Sequence, residues 1–263
     1  MPSSPGGLQD LDSIQTIPLN LIRRSRYARV LNYPAHDDEQ SATRLRELEA
    51  TGVTAIRFIG PSMIDGVQIL GKGCVGLVTQ AVLEDRLVAL KIRRADADRP
   101  SMYAEARLLR LANSVDVGPR LITATKNFLV MELFDGMPLF RWADRDRGSN
   151  LVRNIVVKLL DSCFRLDGIG LDHGELSHAP KNVLVGSAGK TCIVDFETAS
   201  ATRRVANVTS LLQYFLFGSI SKTLQTSKFF PHRRLILKAL SLYKGEESVE
   251  SYQNLLGSLG LRS

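Results

Sequence analysis

The chain has 263 residues, 44% hydrophobic and 23% charged, with a net charge of +7: the make-up of a globular chain able to form one large domain or two small ones. No apolar run approaches the roughly 20 residues that cross a bilayer, so no membrane association is expected, and LLQYFLF (211–217) reads as a buried helix face. Cys74, Cys163 and Cys192 form neither a metal-ligand pattern nor a disulfide framework, and MPSSPGGLQDLDS lacks the layout of a secretory leader, so a cytoplasmic location is expected.

Residues 1–8, rich in Ser, Pro and Gly, read as disordered, and 9–36 mix apolar and basic residues without a clean period. DDEQSATRLRELEATG (37–52) opens on acids, spaces its apolar residues helically and stops at a glycine, which predicts a helix. VTAIRFIG (53–60), GVQIL (66–70), GLVTQAVL (76–83) and RLVALKI (86–92) read as strands, with EDR (84–86) as a tight turn. SMYAEARLLRLANS (101–114) reads as a helix with Leu108, Leu109 and Leu111 on one side, and PRLITATKNFLVMEL (119–133) as two antiparallel strands around Lys-Asn. Helical character begins at 138 and includes SNLVRNIVVKLLDSCFRL (149–166); a loop and two short strands fill 172–195, and the remainder is mostly helical. The expected organisation is an extension (1–60), a sheet-rich part (61–135) and a helix-rich part (136–263), an α+β chain. The basic clusters RRSRYAR (23–29), KIRR (91–94) and HRR (232–234) leave association with nucleic acid or the ribosome open beside a solvated surface.

LGKGCVGLV (70–78) carries G-x-G-x-x-G at Gly71, Gly73 and Gly76. In a dinucleotide fold this motif follows a strand and opens a helix. Here a strand follows, which is the layout of a glycine loop folded over a triphosphate. That reading demands a lysine on the next strand and a glutamate on the next helix. Lys91 in VALK and Glu105 in YAEARLL meet both demands.

At this point the chain resembles the protein-kinase-like superfamily over roughly residues 66–200, which implies a two-lobe fold with an antiparallel-sheet N-lobe and a reduced helical C-lobe. The resemblance implies that Leu70, Gly71, Gly73 and Gly76 cover ATP, that Lys91 paired with Glu105 grips its phosphates, and that Met131 stands behind the adenine. It further implies that backbone groups of Glu132 to Phe134 bond the adenine edge, while Val78 and Ala89 lie above the base and Leu184 below it. GLDHGELSHAPKNVLV (170–185) resembles the catalytic loop H-x-D, four residues, then Asn. His173 and Asn182 match, but the acid is Glu175, seven residues before Asn182 where the pattern has five. Counted without a gap, Ser177 takes the base position; chemistry favours Glu175, since a carboxylate can accept the hydroxyl proton. A structural Glu175 in an inactive protein is the alternative, and His178 and Lys181 are further candidates.

VDFE resembles D-F-G, with Asp195 and Asn182 implied as Mg²⁺ ligands, and with Glu197 a second metal contact or a helix cap. Only 68 residues follow Asp195, which fits a shortened C-lobe. GKGCVG, ALKIRR, HGELS and DFE together are similar to archaeal predicted serine/threonine kinases and to RIO-type and tRNA-modification-associated small kinases. The implied activity is an atypical serine/threonine kinase acting on protein, itself included. The rivals are a small-molecule phosphotransferase and an ATP-binding protein of ribosome or tRNA biology.

Overall fold

The computed structural model describes residues 15–261 apart from 24, 36, 145–147, 179–180, 219, 224–229 and 231. Residues 1–8, expected to be disordered, lie outside the described residues, as does the side chain of His178. The fold is mixed α+β and divides into two compact units. One is the chain up to Tyr103 together with Ile122–Leu133; the other is Ala104–Leu121 together with the chain from Phe134 on.

The first unit runs β1 (Gln15–Pro18), α1 (Leu19–Ile22), α2 (Ala28–Leu31), α3 (Asp38–Glu49), β2 (Val53–Phe58), β3 (Ser62–Ile64), β4 (Val67–Ile69), β5 (Gly71–Lys72), β6 (Gly76–Leu83) and β7 (Arg86–Arg93). After the helix α4 (Tyr103–Asn113) come β8 (Leu121–Ala124) and β9 (Phe128–Glu132). Among the described residues these strands, apart from the hairpin β3-β4, form one sheet in the order β1-β2-β6-β7-β9-β8, with β5 also on β6. Glu84 and Asp85 turn β6 into β7 with φ of 48° and 61°, the doubly left-handed turn whose twist suits a hairpin.

Alternation along the strands separates two faces. Leu77, Ala81, Leu90, Ile92, Phe128 and Val130 point into the core with Ile56 and Phe58. Leu19, Ile22, Leu31, Leu45 and Leu48 complete that core, each fully buried Leu or Ile contributing about 1.5–3 kcal/mol. The opposite face carries Val78 and Gln80 of β6, Ala89 and Lys91 of β7, and Leu129 and Met131 of β9, in facing register. Asp37 caps α3 by accepting from the Gln40 N–H at 2.9 Å, and Asp38 and Glu39 complement the helix dipole.

The buried Arg44 then joins α3 to the sheet, donating to the carbonyls of Leu31 (2.8 Å) and Arg93 (2.6 Å); burial first, and Arg93 second, lower its pKa to about 10. Residues 15–60 are thus built into this unit, with β2 paired on both sides.

The strand expected at 66–70 is present as β4, and after it the Leu70 N–H bonds to the Val78 carbonyl of β6 at 2.9 Å. β4 pairs with β3 in a separate hairpin, and the glycine loop is entered through the two residues of β5. Gly60, at φ 135°, sits at the neck of that excursion, where a Cβ would lie 2.3 Å from the Ile69 carbonyl oxygen. The region 9–36 also holds β1, α1 and α2, four-residue elements too short to display a period.

The second unit holds α4, β10 (Gly136–Pro138), α5 (Leu139–Ala143), α6 (Ser149–Gly168), β11 (Val183–Gly186), β12 (Thr191–Ile193), α7 (Asn207–Phe217), α8 (Ile220–Thr223), α9 (Arg233–Glu246) and α10 (Val249–Ser258). β10, β11 and β12 form an antiparallel sheet. α6 buries Val152, Ile155, Val156, Leu159, Leu160 and Leu166, an amphipathic stripe. α4 buries Leu108 and Leu109, while Leu111 is half-buried. No helix among the described residues is long and apolar enough to cross a membrane.

Candidate functional site

In the first unit the structure gathers Leu70, Gly71, Gly73 and Gly76 at the glycine loop and Val78, Ala89, Lys91 and Met131 on one face of the sheet, while Glu132, in register with Val88, alternates to the other face. Gly71 pairs with Val78, Val78 with Lys91, and Ala89 with Met131. Lys91 is buried, and its stem runs beneath Gly76: a Cβ at Gly76 would stand 3.0 Å from both Cγ and Cε of Lys91. Glycine at 76 is therefore a matter of space. At Gly71 a Cβ would meet nothing within 4 Å, so the loop borders open room there. The tip closes by a bond from the Gly73 N–H to the Gly76 carbonyl at 2.8 Å.

The second unit holds Glu105, Phe134, Glu175, Asn182, Leu184 and Asp195. Phe134 lies against Gly136 and Gly186, where its ring occupies the space a Cβ would need, and Leu184 sits half-buried in β11 facing Cys192. Asn182 donates its Nδ2 to Glu175 Oε2 at 2.9 Å, so the two-residue-longer loop still brings the acid beside the asparagine. A carboxylate only accepts, which fixes the amide's orientation and turns Oδ1 away from Glu175. Ser177 sits exposed in the 3₁₀ turn Leu176–His178.

Carboxylate oxygens of Glu105, Asp195 and Glu197 lie within 4.8 Å of one another. Hard carboxylate oxygens grouped in this way suit a cation such as Mg²⁺. Asp195 has φ 69°, a left-handed backbone that a residue other than glycine adopts at a cost of about 1–2 kcal/mol.

A network fixes these loops. His173 is fully buried, its Nε2 lies 3.1 Å from the Val194 carbonyl and its ring meets Phe196 edge-on at 5.0 Å. That bond places the proton on Nε2. Thr198 Oγ1 donates to the His173 carbonyl (3.0 Å), and Asp172 forms an ion pair with Arg203 at 2.6 Å. Gly174, at φ 89°, passes beneath Arg203, where a Cβ would collide with the guanidinium. The His173 N–H donates to Asn207 Oδ1 at 2.8 Å, and Asn207 is held by Asp167. Asp167, Asn207, Arg203 and Tyr243 escaped the sequence reading because they stand 31 to 76 residues from their partners and form no local motif.

No family model matches the chain. Over 169 residues it is 29% identical to a protein described as "Probable serine/threonine-protein kinase PknB" from Lactococcus lactis subsp. lactis (strain IL1403). The alignment takes in 59% of this chain and 26% of that protein, so the chain spans about a quarter of its relative's length. The likeness supports the protein-kinase-like superfamily and nothing narrower; it does not reach the archaeal, RIO-type or atypical groups.

The neutral His173 makes a pH prediction. Burial lowers its pKa, with the Val194 bond offsetting part of the shift. Below about pH 6.5 the unfolded chain takes up a proton that the folded chain refuses. Its contribution is therefore fully present above about pH 6.5 and is lost as pH falls through the lowered folded value. His173→Gln is expected to flatten that part of the slope, read from urea unfolding between about pH 5 and 8. Equal slopes in both proteins would refute the assignment.

Proposed function

We propose that the protein transfers the γ-phosphoryl group of ATP to a hydroxyl, as a serine/threonine kinase of atypical type whose acceptor is a protein, itself included. The observation that carries this is the Glu175–Asn182 hydrogen bond, in the unit that also holds the three-carboxylate cluster around the strained Asp195. Similarity to a serine/threonine kinase supports a kinase-type transferase in general terms.

Phosphoryl transfer asks the protein for positioning and charge stabilisation. The glycine loop and Lys91 receive the phosphates, and Val78, Ala89 and Met131 take the base. Asn182 through Oδ1, Asp195 and Glu197 would hold Mg²⁺, which would supply charge neutralisation for the phosphate oxygens. Glu175 keeps Oε2 on the Asn182 amide and offers Oε1 to the acceptor hydroxyl, orienting it and accepting its proton. His173 braces the loop.

The test is transfer of labelled γ-phosphate from Mg-ATP to a protein acceptor and to the protein itself, with phosphate release followed in parallel. Glu175→Gln keeps shape and removes the base. The expected loss in kcat is about 10²–10⁴-fold, with ATP affinity unchanged, while Ser177→Ala stays active. An inert Ser177→Ala beside an active Glu175→Gln would move the base to the gap-free position. A wild-type protein that binds ATP without transfer or hydrolysis would refute the kinase reading.

A further inference from the structure

The tip of the glycine loop is held from outside the motif. Arg94, three residues after Lys91, donates from Nη1 to the Gly73 carbonyl at 3.0 Å and from its backbone N–H to the Val75 carbonyl at 2.8 Å. The other side of its guanidinium forks onto Asp96, at 2.8 and 2.6 Å. Its guanidinium carbon also lies 5.6 Å from the centroid of the Tyr33 ring, within cation–π range. Tyr33 belongs to the N-terminal segment. It accepts from the Ala95 N–H through its carbonyl (2.7 Å) and from Lys72 Nζ, inside the motif, through its hydroxyl (2.6 Å).

The consequence follows from peptide geometry. In a two-residue hairpin the N–H and carbonyl of Gly73 and Gly76 would exchange both bonds. Here only the bond from the Gly73 N–H to the Gly76 carbonyl forms, and the Gly73 carbonyl accepts from Arg94 instead. A trans peptide points its C=O and N–H in opposite directions. Holding the carbonyls of Gly73 and Val75 on Arg94 therefore turns the N–H groups of Cys74 and Gly76 away from Arg94, as a pair of donors. Backbone N–H groups of one loop turned out in this way are donors an anion can accept.

We propose that Arg94 is the positioning residue of the phosphate loop, and that Tyr33, Lys72 and Asp96 make the N-terminal segment part of the nucleotide site. This rests on the reading of the loop as a triphosphate site. Arg94 does not touch the nucleotide. It opens the hairpin tip so that Cys74 and Gly76 present backbone donors to a phosphate oxygen.

The experiment measures the affinities of the full chain for Mg-ATP, ADP and adenosine, with thermal unfolding recorded for each variant. Arg94→Gln is expected to weaken Mg-ATP about tenfold, the scale of a charge-assisted hydrogen bond, and to leave adenosine unchanged. Arg94→Lys recovers only part of the loss, since an ammonium lacks the planar fork that spans Gly73 and Asp96. Tyr33→Phe retains the ring, releases Lys72 and gives a smaller loss confined to the phosphorylated ligands. It carries the test should Arg94→Gln fail to fold. Equal weakening of ATP and adenosine, or no change in either, overturns the positioning role while nucleotide binding stands. A wild-type chain that binds ATP no better than adenosine overturns the phosphate-loop reading, and the positioning role with it.

Discussion

Asp195→Asn is expected to reduce phosphoryl transfer by about 10³-fold or more: on the proposed kinase reading the charge it removes would hold a cation that supplies several kcal/mol to the transition state. Asparagine is the informative replacement. Asp195 has φ 69°, and Asn is among the residues that tolerate this backbone, so the loop keeps its shape while one charge leaves the cluster with Glu105 and Glu197. Alanine would confound charge with strain. Asp195→Gly adds a second signature: it relieves about 1–2 kcal/mol of left-handed strain, so its unfolding midpoint rises while transfer is lost. Stability and activity then move in opposite directions, the mark of strain retained for function. Transfer kinetics across a Mg²⁺ titration, with thermal unfolding of the same samples, test both. An Asp195→Asn protein within about tenfold of wild type at saturating Mg²⁺ would remove Asp195 from the metal site.

Much of the sheet could be read from the chain because its signals are local. β6 spans Gly76–Leu83, as expected from GLVTQAVL, and β7 runs from Arg86 as expected, because eight-residue strands of β-branched residues around an acidic turn leave little ambiguity. The elements that carry the proposed site residues were legible for a similar reason: β6, β7, α4, β9 and β11 each show a local strand or helix pattern. What stayed hidden is long-range. Glu175 and Asn182 stand seven apart, and only folding shows that the extra residues leave their hydrogen bond intact. Arg94 read as one charge in KIRR, since nothing nearby in sequence reveals that it reaches back 21 residues to Gly73. The pairing of 67–69 with 62–64 was equally invisible, because VQI alternates suitably for either partner.

The largest stability loss is expected at Asp167, at the end of α6. Its Oδ1 accepts from the N–H and Nδ2 of Asn207 (3.0 and 2.7 Å), and its Oδ2 from the N–H of Val208 (3.2 Å) and the hydroxyl of Tyr243 (2.8 Å). It therefore satisfies two of the N–H groups that open α7 and places negative charge at the positive end of that helix. Burial raises its pKa and these donors pull it part of the way back, so the charged carboxylate carries a cost that its four bonds offset only in part. A carboxyl with a raised folded pKa stabilises the fold as pH falls from that value toward the unfolded one near 3.9.

Asp167→Ala removes the acceptor and strands buried donors, a cost of about 3–5 kcal/mol, a large share of the roughly 5–15 kcal/mol of a typical domain. Tyr243→Phe removes one donor and is expected to cost about 1–2 kcal/mol. Because Asn207 holds both Asp167 and the backbone of His173, Asp167→Ala also loosens the loop that carries Glu175, so transfer falls even in protein still folded at low temperature. Urea unfolding followed by the single buried Trp142 reads the first effect, and transfer assays at low temperature read the second. Losses below about 1 kcal/mol in Asp167→Ala would show that water replaces the carboxylate, and the network would then lose its place as the support of the loop that carries Glu175.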